Sequence, residues 1–255
     1  MEFLRPSRRR TIISEAAYIL LNIAMAAAIL VAVVIIQSPL AGFALVLLSK
    51  WRIFAVRPQY WYANLVSNMV DIFVSLGFVL FLSQAAGSAV FQIILTVLYI
   101  AWLLLLKPQS KRRWVISQAG VGLFVGTAAL MSVSYGWWAT PVVIVMWVLG
   151  YIVARHVLVA YKESHFMLLS FIWGLVVAEL GWLFYHWNFA YSIGTGLMIS
   201  QAAIIITLLG FLAERVYVSI RRHGAVRRSD VLLPSLLTTS SIAVLLVIFN
   251  SGGGI

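Results

Sequence analysis

The sequence predicts an all-α polytopic transmembrane helix bundle of about nine helices, and three observations support this prediction. Of the 255 residues, 63% are hydrophobic and only 10% are charged, whereas a soluble domain carries about 25% charged residues. Apolar runs recur along the chain at close to the ~20 residues that a membrane-spanning helix requires. Basic residues gather in alternate connections between these runs, as in proteins that keep those connections in the cytoplasm.

Nine apolar segments make up the predicted bundle, each bounded by polar, aromatic, proline or glycine residues. The first follows a cluster of arginines and carries Glu15 in its first turn, where the helix dipole favours a carboxylate. Its apolar run of about 20 residues is too long for the core of a cleaved signal peptide, so we expect an uncleaved helix. We place the segments at 14–36, 39–56, 64–82, 89–106, 115–133, 139–154, 165–185, 191–213 and 231–249.

Segment 39–56 has the shortest apolar part, and its sequence is compatible with two structures. Its uncharged part, residues 40–49, gives only about 15 Å of helix. It spans the membrane if Lys50 and Arg52 extend their side chains to the interface. The alternative is a re-entrant half-helix that returns to the side on which it began.

The distribution of basic residues predicts the orientation of the bundle. All 18 Lys and Arg residues lie in the N-terminal tail, in the last part of the second segment, or in the connections after the second, fourth, sixth and eighth segments. The positive-inside rule therefore predicts a cytoplasmic N-terminus and an extracytoplasmic C-terminus in a bacterial plasma (inner) membrane. The predicted organisation is a basic cytoplasmic tail at 1–13, a single transmembrane helical domain at 14–250 and a short extracytoplasmic tail at 251–255.

The net charge of +11 is compatible with binding either nucleic acid or anionic lipid headgroups, and the position of the basic residues in loops favours lipid headgroups. Basic loops beside a membrane bind anionic lipid headgroups, which are the partners we expect here. No nucleic-acid partner is expected, because the loops contain no recognisable binding module. Partner membrane proteins or further copies of the chain remain alternatives for the helices.

Polar residues in the third helix form the first candidate intramembrane site. Asn64, Asn68, Asp71 and Ser75 follow helical spacing and share one face. This face either lines a polar cavity or forms interhelical hydrogen bonds, which contribute about 0.6–2 kcal/mol each.

The seventh helix carries the second candidate site, in the half nearer the extracytoplasmic side. Glu179, Trp182 and His186 lie at i, i+3 and i+7 on one face. A carboxylate and an imidazole so arranged suit proton relay or cation binding. The alternative is that Glu179 hydrogen-bonds neighbouring helices and His186 is merely interfacial. Asp71 and Glu179 fall in opposite halves of the membrane, so we do not expect a paired-carboxylate site.

Signatures of enzymes and cofactors are missing from the sequence. There is no cysteine, and the four histidines form no metal-binding spacing. We therefore predict no catalytic residues, no metal site and no cofactor, and an enzyme acting on lipid or glycan is the least favoured class.

Gly122 and Gly126 predict close helix packing. Glu214 and Arg215 are expected to form a solvated pair.

The segment 178–191, AELGWLFYHWNFAY, contains an E-x2-W-x3-aromatic pattern built on Glu179 and Trp182. It resembles a segment in uncharacterised polytopic membrane protein families of candidate-phylum bacteria. The resemblance implies a multi-pass membrane protein and carries no assigned activity.

Together, the topology and the polar residues within the predicted helices favour a small transporter or channel-like protein, and the alternative is a non-catalytic scaffold or subunit of an envelope complex.

Overall fold

The computed structural model describes residues 12–187, 189–193 and 196–247. The predicted tail at 251–255 and all but the last two residues of the tail at 1–13 lie outside these ranges. The described chain forms nine α-helices and one β-hairpin. The elements are α1 (Ile12–Ile36), α2 (Pro39–Ser49), α3 (Trp61–Gln84), α4 (Ala89–Ala101), α5 (Arg112–Val133), α6 (Ala139–Ala160), α7 (Phe166–His186), β1 (Ala190–Ile193), β2 (Leu197–Ser200), α8 (Gln201–His223) and α9 (Arg228–Val247).

The predicted fold class is confirmed, because eight of these helices are long and apolar enough to cross a membrane. The helix α2 is the exception, with 11 residues or about 16 Å of rise. It starts at Pro39, a residue suited to the first helical turn, and Ser38 caps it by accepting a hydrogen bond from the Leu40 N–H at 3.3 Å. Residues 50–56, which we expected to continue this helix, contain only the short 3-10 turn Trp51–Ile53.

Contacts with α3 show which way α2 runs. A Cβ on Gly42 would lie 2.6 Å from Val79, near the end of α3, whereas Lys50 meets Asp71 in the first half of α3. The two helices are therefore antiparallel. The chain leaves α2 towards the start of α3 rather than turning back, so the re-entrant alternative does not occur.

The basic connections meet at one end of the bundle, which we call the basic end. Arg155 lies 3.5 Å from the Tyr62 hydroxyl, and Arg221 lies 3.6 Å from Glu163. Arg112 stacks over the Tyr161 ring with 4.9 Å between the guanidinium carbon and the ring centroid. These contacts join the start of α3, the start of α5, the last part of α6 with the loop that follows it, and the end of α8. The positive-inside rule predicts that the basic end is the cytoplasmic end.

The helix α5 lies at the centre of the bundle and packs against α3, α6 and α8. A Cβ on Gly122 would lie 2.8 Å from Val70, and one on Gly126 would lie 2.8 Å from Leu149. The small-residue spacing therefore marks close packing, as predicted. Two apolar cores result, one mostly from α1–α4 and the other mostly from α5–α8.

The eighth helix begins about ten residues later than we expected, because the antiparallel strands β1 (Ala190–Ile193) and β2 (Leu197–Ser200) precede it. Gly196 has a φ of +99°, and a Cβ there would lie 2.5 Å from the Gln84 carbonyl oxygen, so the turn requires glycine. The helix α8 then continues to His223 and ends at Gly224 in the left-handed conformation. Arg215 and Arg221 consequently lie on α8 and not in a loop.

Candidate functional site

Asp71, the first predicted site residue, is the centre of a buried ion cluster. Its Oδ2 accepts a hydrogen bond from Lys50 Nζ, and Lys107 Nζ lies 2.9 Å from the same oxygen. Its Oδ1 accepts a hydrogen bond from Trp102 Nε1 at 3.0 Å. The cluster joins the end of α2, the middle of α3 and the end of α4. Lys50 is therefore buried against Asp71 and does not extend to the interface as we expected.

A π-helical turn positions two of these partners. After Ala101 the helix α4 continues as a π-helix over Trp102–Leu106, and the Lys107 N–H donates to the Trp102 carbonyl at 2.9 Å. In an α-helix, residues five apart point about 140° away from each other. The wider π turn brings such residues closer to one face, which lets Trp102 and Lys107 both reach Asp71.

The rest of the predicted polar face on α3 does not reach the ion cluster. Asn68 Nδ2 donates to the Asn64 carbonyl at 2.8 Å and lies 3.3 Å from the Ser67 hydroxyl. The Ser75 hydroxyl donates to the backbone carbonyl of Asp71 at 2.7 Å. Asn64 and Asn68 are thus linked within their own helix, whereas Asp71 links three segments. This favours a packing role for Asp71 over a role in a polar cavity.

The second predicted site lies on the outside of the bundle. Glu179 is exposed on α7, as are Trp182 and His186 on the same face. Trp182 and His186 stack with ring centroids 4.8 Å apart, and the His186 Nδ1 lies 2.8 Å from the Trp182 carbonyl. Within the described residues Glu179 does not line the cavity described below and forms no side-chain hydrogen bond. The proton relay predicted for this face stays a prediction.

A cavity lies at the basic end, between α5, α6, α7 and α8, and the sequence did not predict it. It has a volume of about 640 Å³, within the range of about 300–1,000 Å³ typical of small-molecule sites. It extends along α5 from Arg113 to Leu123, a depth of about 15 Å. Its inner wall is apolar and includes Leu123, Val153, Val157, Leu169, Trp173 and Phe211.

The cavity opens towards the perimeter of the bundle between α7 and α8, which contact each other sparsely. Leu169 of α7 and Phe211 of α8 line the cavity and are both partly exposed. On α5, Gly120 also lines the cavity, and a Cβ there would have no neighbour within 4 Å. The space beside Gly120 is therefore open.

Charged residues gather where the cavity reaches the basic end. Arg113 and Arg215 line it together with Glu214 and Tyr217. We expected Glu214 and Arg215 to be a solvated pair, but the Glu214 side chain is only 9% exposed. The Tyr161 hydroxyl donates to its Oε1 at 2.5 Å, which the sequence gave no reason to expect. The cavity is apolar inside and carries charges of both signs at its rim.

The rim is held in place by the connection between α6 and α7. Burial and the hydrogen bond to the Glu214 carboxylate raise the pKa of the Tyr161 hydroxyl, which keeps it protonated as a donor. Tyr217 donates to Glu163 Oε2 at 2.5 Å, and this hydrogen bond is the main cause of a lowered pKa of the Glu163 carboxyl. Arg221 donates to the Tyr217 hydroxyl at 2.9 Å. These bonds tie the end of α8 to the loop after α6.

Helical spacing was the signal that could have revealed the cavity. Arg113, Ser117 and Gly120 lie at i, i+4 and i+7 on α5. Four of the α8 residues that line it follow a similar spacing and are small or polar, namely Thr207, Gly210, Glu214 and Tyr217. Two helices with small and polar residues facing each other leave space between them. The sequence alone does not show that these two faces meet.

Comparison with known proteins adds no homologue to this description. No family model, curated protein or solved structure matches the chain. The resemblance of segment 178–191 to candidate-phylum membrane proteins therefore stays a prediction. Among the described residues, no three His, Asp or Glu side chains gather as metal ligands.

Proposed function

We propose that the protein is a small transporter that takes a lipid or lipid-like amphiphile from the cytoplasmic leaflet into the cavity at the basic end. The observation that carries this proposal is the amphipathic character of the cavity. Its apolar wall suits an acyl chain, and Arg113 and Arg215 at its rim suit an anionic headgroup.

The depth and opening of the cavity support the same ligand class. A depth of about 15 Å equals half of a hydrocarbon core of about 30 Å, which is the thickness of one leaflet's acyl layer. The gap between α7 and α8 gives a lipid a lateral route from the bilayer. A water-filled channel needs a polar path through the membrane, whereas this cavity has an apolar inner wall.

Filling the cavity should stop this activity without disturbing the fold. Gly120→Leu places a side chain into open space, because no atom lies within 4 Å of a Cβ there. In proteoliposomes carrying fluorescently labelled phosphatidylglycerol, we expect the rate of transfer between leaflets to fall about tenfold, equivalent to about 1.4 kcal/mol. Quenching of the outer-leaflet label by dithionite measures this rate.

The matched control is Val97→Leu, which enlarges an exposed residue on α4 far from the cavity. It should transfer lipid at the rate of the unmodified protein. A folded Gly120→Leu protein with the unmodified rate would contradict the proposal, as would an absence of transfer by the unmodified protein.

A second candidate function, a self-associating membrane subunit, is favoured by the exposed face of α7. Apart from Glu179, this face is apolar and aromatic, with Leu175, Trp182 and Leu183 exposed on it. A carboxyl group facing hydrocarbon is unfavourable unless it is paired. A second copy of the chain supplies such a partner. A residue that lies on a two-fold axis contacts the same residue of the second copy. Two carboxyl groups in contact can pair, because a protonated carboxyl group both donates and accepts a hydrogen bond.

Disulfide cross-linking tests this association cleanly, because the chain has no cysteine of its own. Leu183→Cys should give disulfide-linked dimers in oxidised membranes, and adding Glu179→Leu should reduce their yield. Val97→Cys, exposed on α4, is the control and should stay monomeric. Equal cross-linking at both positions, or none at position 183, would exclude α7 as the interface.

A further inference from the structure

The connection between α2 and α3 starts well below the level at which α3 and α5 begin. Gly122, ten residues into α5, packs against Val70, nine residues into α3, so these two helices begin at nearly the same depth. Lys50, directly after α2, meets Asp71 ten residues into α3, which is about 15 Å from the start of that helix. From Lys50 to the start of α3 the chain contains short 3-10 turns and no α-helix.

The connection between α4 and α5 also lies below this level. Gln118, six residues into α5, donates from Nε2 to the carbonyl oxygens of Leu106 at 2.6 Å and of Gln109 at 2.9 Å. These carbonyl groups are therefore about 9 Å from the start of α5. Lys107 lies between them and reaches further inward to Asp71, whereas a lysine near a helix end usually extends towards water. Non-helical backbone from both connections thus lies beside the ion cluster, within the depth of one leaflet.

Exposed residues of this kind are unfavourable in a bilayer of full thickness. Trp51 and Arg52 follow Lys50 directly, and both are exposed. Hydrocarbon disfavours a guanidinium group and also irregular backbone, whose N–H and C=O groups find no partners there. A bilayer becomes thinner around a hydrophobic segment that is too short to span it, and α2 rises only about 16 Å. We therefore expect water and headgroups to approach the ion cluster from the basic end.

The ion cluster carries an excess of positive charge. Two ammonium groups, from Lys50 and Lys107, share the single carboxylate of Asp71. Neither lysine forms an ion pair with another carboxylate in the part of the chain that the structure describes. Lys50 is buried, whereas 31% of the Lys107 side chain is exposed. An ammonium group has three N–H donors, so Lys107 keeps donors for an anion after it binds Asp71.

We infer that the leaflet at the basic end is thinned beside α2 and that the ion cluster there binds the phosphate group of a phospholipid. The phosphate oxygens accept hydrogen bonds from Lys107, and the phosphate charge neutralises the excess charge of the cluster. The exposed Arg52 adds a further positive charge to this part of the surface. The site is distinct from the cavity, whose lining residues come from α5–α8.

Thinning beside the ion cluster is measured by cysteine labelling, because the chain contains no cysteine. Leu105→Cys, two residues before Lys107, and Leu237→Cys, about 14 Å into α9, each replace an exposed leucine. A charged methanethiosulfonate is added to sealed vesicles on the side that the basic end faces. We expect it to modify position 105 on the order of tenfold faster than position 237, because a thiol must ionise in water to react.

Phosphate binding is measured by native mass spectrometry of delipidated protein titrated with phosphatidylglycerol. All variants carry Gly120→Leu, which fills the cavity and removes its contribution. Lys107→Met keeps the buried pair of Lys50 and Asp71, so we expect it to fold. It should bind the lipid about tenfold more weakly, as for a loss of about 1.4 kcal/mol. The matched control, Lys111→Met, removes an exposed positive charge from the same connection and should keep the affinity of the Gly120→Leu protein.

Three results would contradict the inference. Equal modification rates at positions 105 and 237 would show that the leaflet is not thinned beside α2. Equal affinities of the Lys107→Met and Lys111→Met proteins would exclude the ion cluster as the phosphate site. Inorganic phosphate in excess should not displace the lipid, because it lacks acyl chains, and displacement would identify a site for soluble anions instead. These measurements do not depend on the cavity, so this site and the proposed function stand or fail separately.

Discussion

At the scale of single residues, an ionisable group's environment decides its role more than its position in the sequence does. Asp71 and Glu179 both lie in apolar helices, yet Asp71 is enclosed by two ammonium groups and an indole while Glu179 lies on the perimeter. Glu214, by contrast, lies in the second half of α8 and is buried beside a cavity. Glu214 is therefore shielded from solvent, whereas Glu179 is exposed.

Removing the negative charge of Asp71 should destabilise the protein strongly. Asp71→Asn leaves the buried Lys50 ammonium without a counter-charge, and breaking a buried ion pair in this way costs about 3–5 kcal/mol. Unfolding by sodium dodecyl sulfate in mixed micelles, followed by circular dichroism, measures the change in unfolding free energy.

Two companion variants test whether the pairing itself is responsible. Lys107→Met should cost less, because Lys107 is partly exposed and Asp71 keeps Lys50. The double variant Lys50→Met, Asp71→Leu removes both buried charges together and should be more stable than Asp71→Asn. A double variant less stable than Asp71→Asn would show that the ion cluster has a role beyond neutralising its own charges.

At the scale of elements, the short helix α2 decides the topology. It is too short to be recognised as a spanning helix from length and composition. Its antiparallel packing against α3 nevertheless carries the chain from one end of the bundle to the other. The ion pair between Lys50 and Asp71 fixes its last residues, so the segment does not need a full ~20 residues of helix.

This crossing predicts opposite locations for two reporter fusions. Alkaline phosphatase fused at the C-terminus should be active, because nine crossings place that end outside the cytoplasm. The same enzyme inserted at Gln109, in the basic connection before α5, should be inactive, and green fluorescent protein at that site should fluoresce. An inactive C-terminal fusion in a stably expressed protein would mean an even number of crossings.

At the scale of the whole molecule, two packed groups of helices share α5, and the cavity lies at the edge of one of them. The ion cluster lies beside the first core, which comes mostly from α1–α4, and joins the end of α2 to the middle of α3 and the end of α4. The second core, mostly from α5–α8, is close-packed deep in the bundle, for example where Gly126 meets Leu149. Towards the basic end the same helices separate, and this separation creates the cavity.

The sequence by itself determined the helix bundle, its approximate number of helices and the gathering of basic residues at one end. These follow from apolar segment length and from alternation of charge along the chain, which are local properties. The sequence also indicated that Asp71, as an ionisable residue in an apolar helix, requires an interaction partner. It could not identify Lys50 and Lys107 as those partners, because a π turn and a helix end bring them together across long stretches of chain.

Only the tertiary structure decided which polar residues face inward. Glu179 and Glu214 look alike in sequence as lone carboxylates near aromatic residues, but helix packing turns the first outward and buries the second. The cavity likewise arises because α7 packs closely against α6 and only sparsely against α8. The physical reason is that helical periodicity defines the faces of each helix, whereas the rotation and separation of neighbouring helices depend on contacts distant in sequence.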